Sequence, residues 1–239
     1  MGKFVSMFIM DVTNSSKFEN GRELSDYLGF WTNTLNQMSS FIDIKAKHRM
    51  GDEIICVVED YYTAYLLANY MVFHWRYRKH MPYFGLTCDY INEEVVDIET
   101  WNDPMVKKAR DANELIKADN SRNKLMLFIP QSDYKSISNF NLMAEMQNNL
   151  ILHQTDKQRE ILSLYSLMNS QKEIAIHLNK TGATISSHYT KGNVELILKA
   201  LDIGADTLKI LQARKMFELL IDSEDYLEEK FCLLMEEMH

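Results

Sequence analysis

The chain has 239 residues, of which 46% are hydrophobic and 25% are charged. That composition excludes a disordered chain and a disulfide-stabilised miniprotein, and it predicts one large or two smaller globular domains. The net charge of −8 excludes a surface that is basic all over, so a nucleic-acid-binding surface would have to be local. The three cysteines, Cys56, Cys88 and Cys232, lack CxxC spacing, which predicts buried, reduced thiols rather than disulfides or zinc ligands.

The apolar segments are too short for a membrane protein. No stretch of about 18 consecutive apolar residues occurs, so no segment is predicted to span a bilayer. Asp11 interrupts the apolar stretch near the start, and no small-residue cleavage site follows it, so we do not expect a signal peptide. We therefore expect a cytoplasmic protein with no membrane partner.

The first 130 residues alternate between strand and helix patterns. Helices are predicted where apolar residues recur every three or four positions, and strands where short apolar runs end at turn residues. In chain order the predicted elements are a strand at 4–10, a helix at about 21–40, strands at 42–49 and 53–59 joined at Gly51, a helix at about 62–79, a strand at 83–90, a helix from 104 to about 118 and a strand at 124–129. This order predicts an α/β sandwich with a partly antiparallel sheet.

The second part of the chain is predicted to be helical. Residues 131–154 are polar and rich in Asn and Ser, which indicates a linker with some helix around 141–152. From Thr155 onward the patterns are helical throughout. We therefore predict an α+β protein with an α/β domain at 1–135, a linker at 136–154 and an all-α domain at 155–239.

Residues 155–191 have the pattern of a helix-turn-helix. A capping residue stands where each helix should begin: Thr155 or Asp156 for the first, Ser170 for the second, and Thr181 or Gly182 for the third. Ile185 is predicted to anchor the third helix in the core. The opposite side of that helix is then exposed and able to enter a major groove.

The predicted DNA contacts lie on this exposed side and on the helix before it. Lysines would neutralise phosphates, while hydroxyl groups and a histidine could meet base edges. The residues are Lys172, Lys180, Thr184, Ser186, Ser187, His188 and Lys191. Between 157 and 199 there are six basic and three acidic residues, which favours double-stranded DNA as the partner. A three-helix module that binds protein is the alternative.

The segment resembles the helix-turn-helix of LuxR-type and sigma-region-4-type regulators, whose second helix often has a Lys-Glu-Ile-Ala run like 172–175 here. The resemblance covers about 40 residues and implies a transcriptional regulator. Helices with an apolar stripe follow Asn193. They could pair two subunits into a homodimer, which would present two recognition helices, or they could pack back on the N-terminal domain. The sequence leaves both arrangements open.

Three motifs in the first part of the chain carry a second resemblance. Phe8-Ile9-Met10-Asp11 ends the first strand, Gly51-Asp52-Glu53 lies in the hairpin, and Asp103-Pro104 begins a helix that reaches Ala109-Arg110. Over roughly residues 3–130 the chain resembles the class III nucleotide cyclase catalytic domain and, more closely, the bacterial SatD family, with Asp103 in place of a family glycine. The resemblance implies a ferredoxin-like, cyclase-like α/β sandwich.

This second resemblance also implies site residues. Asp11 and Asp52 match the aspartates that hold magnesium in cyclases, and carboxylate oxygens suit that ion. Glu99 falls where an acid contacts the purine, and Arg110 where an arginine contacts phosphate. His48 and Val106 depart from the lysine and the ribose-binding asparagine of the cyclases. From the residues alone, Asp11 and Asp52 could equally be ordinary turn residues.

These patterns together predict a DNA-binding transcriptional regulator that is not an enzyme. Its catalytically degenerate cyclase-like domain would serve dimerisation or sense a nucleotide or another small-molecule effector. One alternative is a magnesium-dependent nucleotide enzyme of the cyclase type that the helical domain regulates. Another is a protein-binding adaptor.

Overall fold

The computed structural model describes residues 2–49, 51–119, 124–130 and 135–237, without the side chains of 135 and 223–237. Within these residues the chain forms a mixed five-stranded sheet and eight α-helices, so the predicted α+β composition is confirmed. The elements are β1 Lys3–Val12, α1 Gly21–Gln37, β2 Ile44–His48, β3 Ile54–Glu59, α2 Thr63–His74, β4 Pro82–Ile91, α3 Pro104–Ala118, β5 Met126–Phe128, α4 Lys135–Leu152, α5 Asp156–Met168, α6 Gln171–His177, α7 Gly182–Lys191 and α8 Val194–Glu237.

The sheet has the strand order β2-β3-β1-β4-β5. The central strand β1 is antiparallel to both β3 and β4, whereas β4 and β5 are parallel, so the predicted partly antiparallel sheet is confirmed. β1 is apolar along most of its length because helices cover both of its faces. Gly51 has a φ of 102° in the β2–β3 turn, a conformation that favours glycine.

Helices pack on the two faces of the sheet and define two clusters of buried side chains. Phe8 and Met10 point to the face covered by α1 and α2, and Met7 and Ile9 point to the face covered by α3. α3 crosses β4 at Gly85, where a Cβ atom would lie 2.0 Å from the Ala109 carbonyl oxygen. This close approach is possible only with glycine, and it brings the end of α3 beside the end of β1.

Helix α2 ends about one turn earlier than the sequence predicts, so its predicted end near residue 79 is wrong. The backbone turns extended at Trp75, with φ −69° and ψ 126°. The indole of Trp75 packs edge-on against Tyr27, with ring centroids 4.9 Å apart, and donates a hydrogen bond to the His80 carbonyl at 2.8 Å. These aromatic and polar contacts outweigh the helical pattern of the following residues.

The predicted linker region contains helix α4. Phe140 is buried, and the Asn141 amide both donates to and accepts from the Phe128 backbone at 2.9 Å, which covers the edge of the sheet at β5. Gln147 is also buried, and its Nε2 donates to the Ile197 carbonyl in α8 at 3.0 Å. The polar side chains of Asn141 and Gln147 are therefore accommodated here because they bond to backbone groups of other elements. The domain boundaries stay a prediction.

Helix α5 is fastened to α2 by polar contacts. Both ring nitrogens of His74 hydrogen-bond to serine hydroxyls of α5, Nδ1 with Ser163 at 2.7 Å and Nε2 with Ser166 at 3.2 Å. Nearby, Arg78 forms an ion pair with Asp156 at 2.6 Å. The sheet, α1, α2 and the C-terminal helices contribute to one hydrophobic cluster. The helical region is therefore docked on the α/β region.

Two further sequence expectations concern the thiols and the bilayer. Cys56 and Cys88 are buried and free, and burial raises the pKa of both thiols, so both stay protonated at neutral pH. The side chain of Cys232 lies outside the described residues. In the described part of the chain, every helix lacks either the length or the apolar character that a bilayer crossing requires.

Candidate nucleic-acid interface and carboxylate site

Side-chain caps begin all three helices of the predicted helix-turn-helix, as the sequence indicates. Thr155 accepts a hydrogen bond from the Gln158 backbone, and the Gln158 side chain accepts one from the Thr155 backbone at 2.8 Å, which completes a capping box at α5. Ser170 accepts from the backbone of Glu173 at 3.2 Å to begin α6. Thr181 accepts from the backbone of Thr184 at 3.2 Å to begin α7.

An asparagine in the left-handed conformation follows each of these helices. Asn169, Asn179 and Asn193 have φ values of 49°, 50° and 53°. Asparagine tolerates this conformation better than other non-glycine residues, so it can end a helix sharply. The three positions fix the short turns that place α6, α7 and α8. The sequence analysis missed this signal, although the asparagines are visible in the sequence.

Helix α7 is attached to the core along one side. Ile185 is only 1% exposed, and the ring of Tyr189 packs against Tyr165 with centroids 4.7 Å apart. The opposite side is exposed at Thr184, Ser186 and Ser187, while His188 is half-buried. The predicted contact residues of α7 thus form a surface of short hydroxyl side chains.

Three exposed lysines lie around this surface. Lys172 and Lys180 line one open depression between α6 and the beginning of α7. Lys191 is exposed at the other end of α7, a helix of 10 residues and therefore about 15 Å long. Arg159, which the count of basic residues includes, is buried and does not contribute to the surface charge. The basic character of this region consequently depends on lysines.

The structure brings the two predicted aspartates together. Asp11 lies at the end of β1, and Asp52 lies in the β2–β3 turn beside it. Burial raises the pKa of Asp11, and hydrogen bonding and charge repulsion from Asp52 raise it further. Two carboxylates in this arrangement favour a proton or a cation between them.

Three residues that the sequence analysis missed complete this carboxylate site. The Lys117 ammonium lies 3.1 Å from Asp11 Oδ2 and 3.1 Å from Glu114 Oε1. Tyr83 is opposite Asp11 in the β1–β4 register, and its hydroxyl hydrogen-bonds to the carboxylate. Burial lowers the pKa of Lys117, but its bonds to Asp11 and Glu114 outweigh that effect and raise it overall. Lys117 therefore supplies positive charge where a metal ion would otherwise balance the pair.

The remaining predicted nucleotide contacts lie in different surroundings. Glu99 forms an ion pair with Lys47 of β2 at 3.3 Å, and both side chains are about half exposed. Arg110 is exposed on α3, seven residues before Lys117 and hence about 10 Å along the same side of the helix. Val106 packs against the apolar cluster under α3, where it offers no hydrogen bond to a ribose.

The carboxylate site has suitable but few donors for magnesium. Mg²⁺ commonly takes one or two protein carboxylates and keeps several waters, and Asp11 with Asp52 could provide such donors. Among the described residues, however, no group of three or more His, Cys, Asp or Glu side chains is arranged to hold a metal ion. An ion at this pair would share the Asp11 carboxylate with Lys117 or displace it.

Comparisons of the chain with protein-family models, with curated proteins and with solved structures find no match. The resemblances to the LuxR-type regulators and to the SatD family therefore stay predictions that rest on the motifs themselves. The geometry of the two candidate sites is the remaining basis for a function.

Proposed function

We propose that the protein is a DNA-binding transcriptional regulator that inserts α7 into the major groove of duplex DNA. The observation that carries this proposal is the one-sided attachment of α7, with Ile185 buried and Thr184, Ser186 and Ser187 exposed. Short side chains on a helix allow the backbone to approach base edges closely. We infer that α7 reads bases and that the lysines contact phosphates.

The charge distribution sets the expected strength of binding. Lys172, Lys180 and Lys191 are exposed around α7, whereas the whole chain has a net charge of −8. Each phosphate contact releases counterions and contributes about −0.9 to the slope of log affinity against log salt concentration. One helix-turn-helix unit is therefore expected to show a slope of about −3, and two units acting together about twice that.

A second copy of the chain is the proposed partner along α8. Leu196, Ile203, Ile210 and Phe217 recur every seven residues on this helix and are between 49% and 64% exposed. The seam of paired helices has two apolar positions in every seven residues, and this stripe supplies one of them. Pairing would bury the stripe and bring two α7 helices to two half-sites on one DNA duplex.

The DNA proposal is tested by fluorescence anisotropy with a labelled duplex of random sequence at several salt concentrations. Lys180→Glu and Lys191→Glu should each weaken binding at least about fivefold and make the salt slope shallower by about 1. Lys107→Glu is the matched control, because Lys107 is an exposed lysine on α3. The DNA affinity of this variant should stay near that of the wild type. Equal binding by all three variants would refute the proposal. If the two lysine variants weaken binding as expected, sequencing of genomic DNA retained by the protein would identify the operator.

The α/β region supports a second candidate function. The order β2-β3-β1-β4, with α1 and α2 as the connections, fits the ferredoxin-like arrangement on which the cyclase-like interpretation rests. The proximity of Asp11 and Asp52 favours binding of a divalent cation with a nucleotide. Incubation with MgCl₂ and ATP or GTP should yield no cyclic nucleotide if this domain only senses. Formation of a cyclic product that is lost in Asp11→Ala would make the protein a cyclase.

A further inference from the structure

An apolar groove of about 740 Å³ lies between α1 and α2 and extends to α5. Its walls are aromatic and aliphatic side chains, among them Phe30 and Trp31 of α1 and Leu66 and Met71 of α2. Phe30 is 57% exposed although it is a large apolar residue. Both the volume and the apolar lining are in the range of sites that bind small organic molecules. The groove is separate from the carboxylate site and from α7.

Arg76 gives one end of this groove a positive charge. It is the single Lys or Arg among the lining residues that the structure describes, and no Asp or Glu lines the groove there. Arg76 takes part in none of the ion pairs found among the described residues, and its guanidinium lies 5.7 Å from the centre of the Tyr77 ring. The charge of the groove is therefore complementary to an anion, and its walls are complementary to an apolar body.

The groove also touches the first helix of the helix-turn-helix. Leu167 of α5 lines it and is exposed, and the neighbouring Ser163 and Ser166 hydrogen-bond to His74, another lining residue. The Tyr70 hydroxyl lies 3.5 Å from the Ser166 carbonyl. A molecule in the groove would therefore contact α5 directly, and its binding would affect the position of α5 relative to α2.

We propose that this groove binds a small apolar monocarboxylic acid, aliphatic or aromatic, with its carboxylate on Arg76 and its apolar body between α1 and α2. Because the bound acid also contacts Leu167, it changes the affinity of the α5–α7 unit for DNA. That second statement rests on the proposed DNA-binding function, whereas binding of the acid does not.

Isothermal titration calorimetry of the full chain tests the binding. The probes are decanoate and naphthalene-1-acetate, each compared with the alcohol of the same carbon skeleton. Each acid should bind at least about threefold more tightly than its alcohol, since the charged contact is partly exposed to solvent. Arg76→Gln should abolish that difference while leaving the binding of the alcohols unchanged. Absence of measurable binding for both acids, or equal affinity of acid and alcohol, would overturn the assignment.

Two phenylalanine variants locate the site. Phe30→Glu places a carboxylate on the groove wall and should weaken both acids at least about tenfold. Phe41→Glu is the matched control, because Phe41 is 86% exposed and lies outside the groove, so its affinity should equal that of the wild type. Both variants replace exposed side chains, and circular dichroism will verify their folding. Equal loss of affinity in Phe30→Glu and Phe41→Glu would refute the site. The assignment would also fail if the wild type self-associates with rising concentration and only Phe30→Glu abolishes this, because a second copy would then occupy the groove.

The coupling is measured separately by anisotropy with the DNA duplex at saturating acid. The DNA affinity of the wild type should change at least about threefold, and that of Phe30→Glu should not. Calorimetric binding without any change in DNA affinity would overturn the coupling alone. A chain that binds the acid but never binds DNA would overturn the proposed function and leave the ligand site intact.

Discussion

Arg159 of α5 donates a hydrogen bond through Nη2 to the carbonyl oxygen of Val72 in the last turn of α2, at 2.9 Å. Arg159 as a whole is 7% exposed, and the second described partner of its guanidinium is the Met81 sulfur at 3.2 Å. Burial lowers the pKa of Arg159 to about 10, and repulsion from Arg78 contributes to the shift. The partial negative charge at the C-terminal end of α2 partly compensates this buried cation.

The charge of Arg159 therefore opposes folding at neutral pH. Arg159→Met keeps a long side chain without the charge, and Val72 keeps the Trp75 backbone N–H as a donor at 3.4 Å. We expect this variant to raise the free energy of unfolding by about 1 kcal/mol, because it removes a buried charge that forms no ion pair with a carboxylate among the described residues. Arg159→Ala leaves a cavity and should lower it by about 2 kcal/mol or more. Urea unfolding measures the free energy of unfolding of both variants. A decrease of more than about 2 kcal/mol in Arg159→Met would contradict the view that the buried charge opposes folding.

The contact between His74 and α5 should make the stability depend on pH. Burial lowers the pKa of His74 below 6.5, its value in an unfolded chain. The folded state therefore favours the neutral ring. The contribution of this ring to the free energy of unfolding is complete above pH 6.5 and is lost as the pH falls through the lowered pKa. Urea unfolding at about pH 7.5 and 5 should show a smaller difference in His74→Gln than in the wild type. The exposed His153→Gln serves as the control and should behave like the wild type.

The carboxylate site should have the opposite pH dependence. The pKa of Asp11 is raised in the folded state, so its contribution to stability is complete below pH 3.8 and is lost as the pH rises through the raised pKa. Asp11→Asn should stabilise the protein at neutral pH by about 1 kcal/mol or less, and should have no such effect near pH 3. Asp26→Asn, at an exposed position on α1, is the comparison. Thermal unfolding that shows Asp11→Asn less stable at neutral pH would refute the repulsion.

Magnesium offers a second readout at the same pair. If Asp11 and Asp52 bind the ion, MgCl₂ should raise the Tm of the wild type and leave that of Asp11→Asn unchanged, because only the folded wild type binds it. An identical rise in both proteins would exclude this pair as the site of binding.

The stripe on α8 predicts the effect of one charge on assembly. Ile210→Glu should convert a dimer at micromolar concentration into a monomer in sedimentation velocity, since a charge would be buried in the seam. Leu115→Glu replaces an equally exposed leucine on α3 and should leave the dimer intact. A wild-type chain that sediments as a monomer would remove the second copy from the proposal. Affinity for a DNA duplex with two half-sites should fall together with dimerisation.

Local signals made most of the fold predictable from the sequence. The order of strands and helices followed from apolar periods, and the hairpin at Gly51 and the caps at Thr155 and Ser170 followed from single residue types. These signals act within a few residues, so a single sequence contains them. The early end of α2 was not predictable, because the packing of Trp75 against Tyr27 joins residues far apart in the chain.

The residues of the candidate sites also fall into those with a local sequence signal and those without one. The exposed side of α7 follows from one buried position, Ile185, and the helical period. By contrast, Lys117 and Tyr83 reach Asp11 from a separate helix and a separate strand, so neither has a local sequence signal. The burial of Gln147 was equally hidden, since its partner is the Ile197 carbonyl, 50 residues later.

The contact between Gln147 and Ile197 also governs how the molecule can be divided for experiment. A fragment starting at residue 155 would lack α4 and would leave apolar side chains of α8 open to water. We expect such a fragment to aggregate or to be degraded, whereas one starting before residue 135 would keep α4 on α8. A fragment that contains the proposed helix-turn-helix should therefore begin before α4, between β5 and α4.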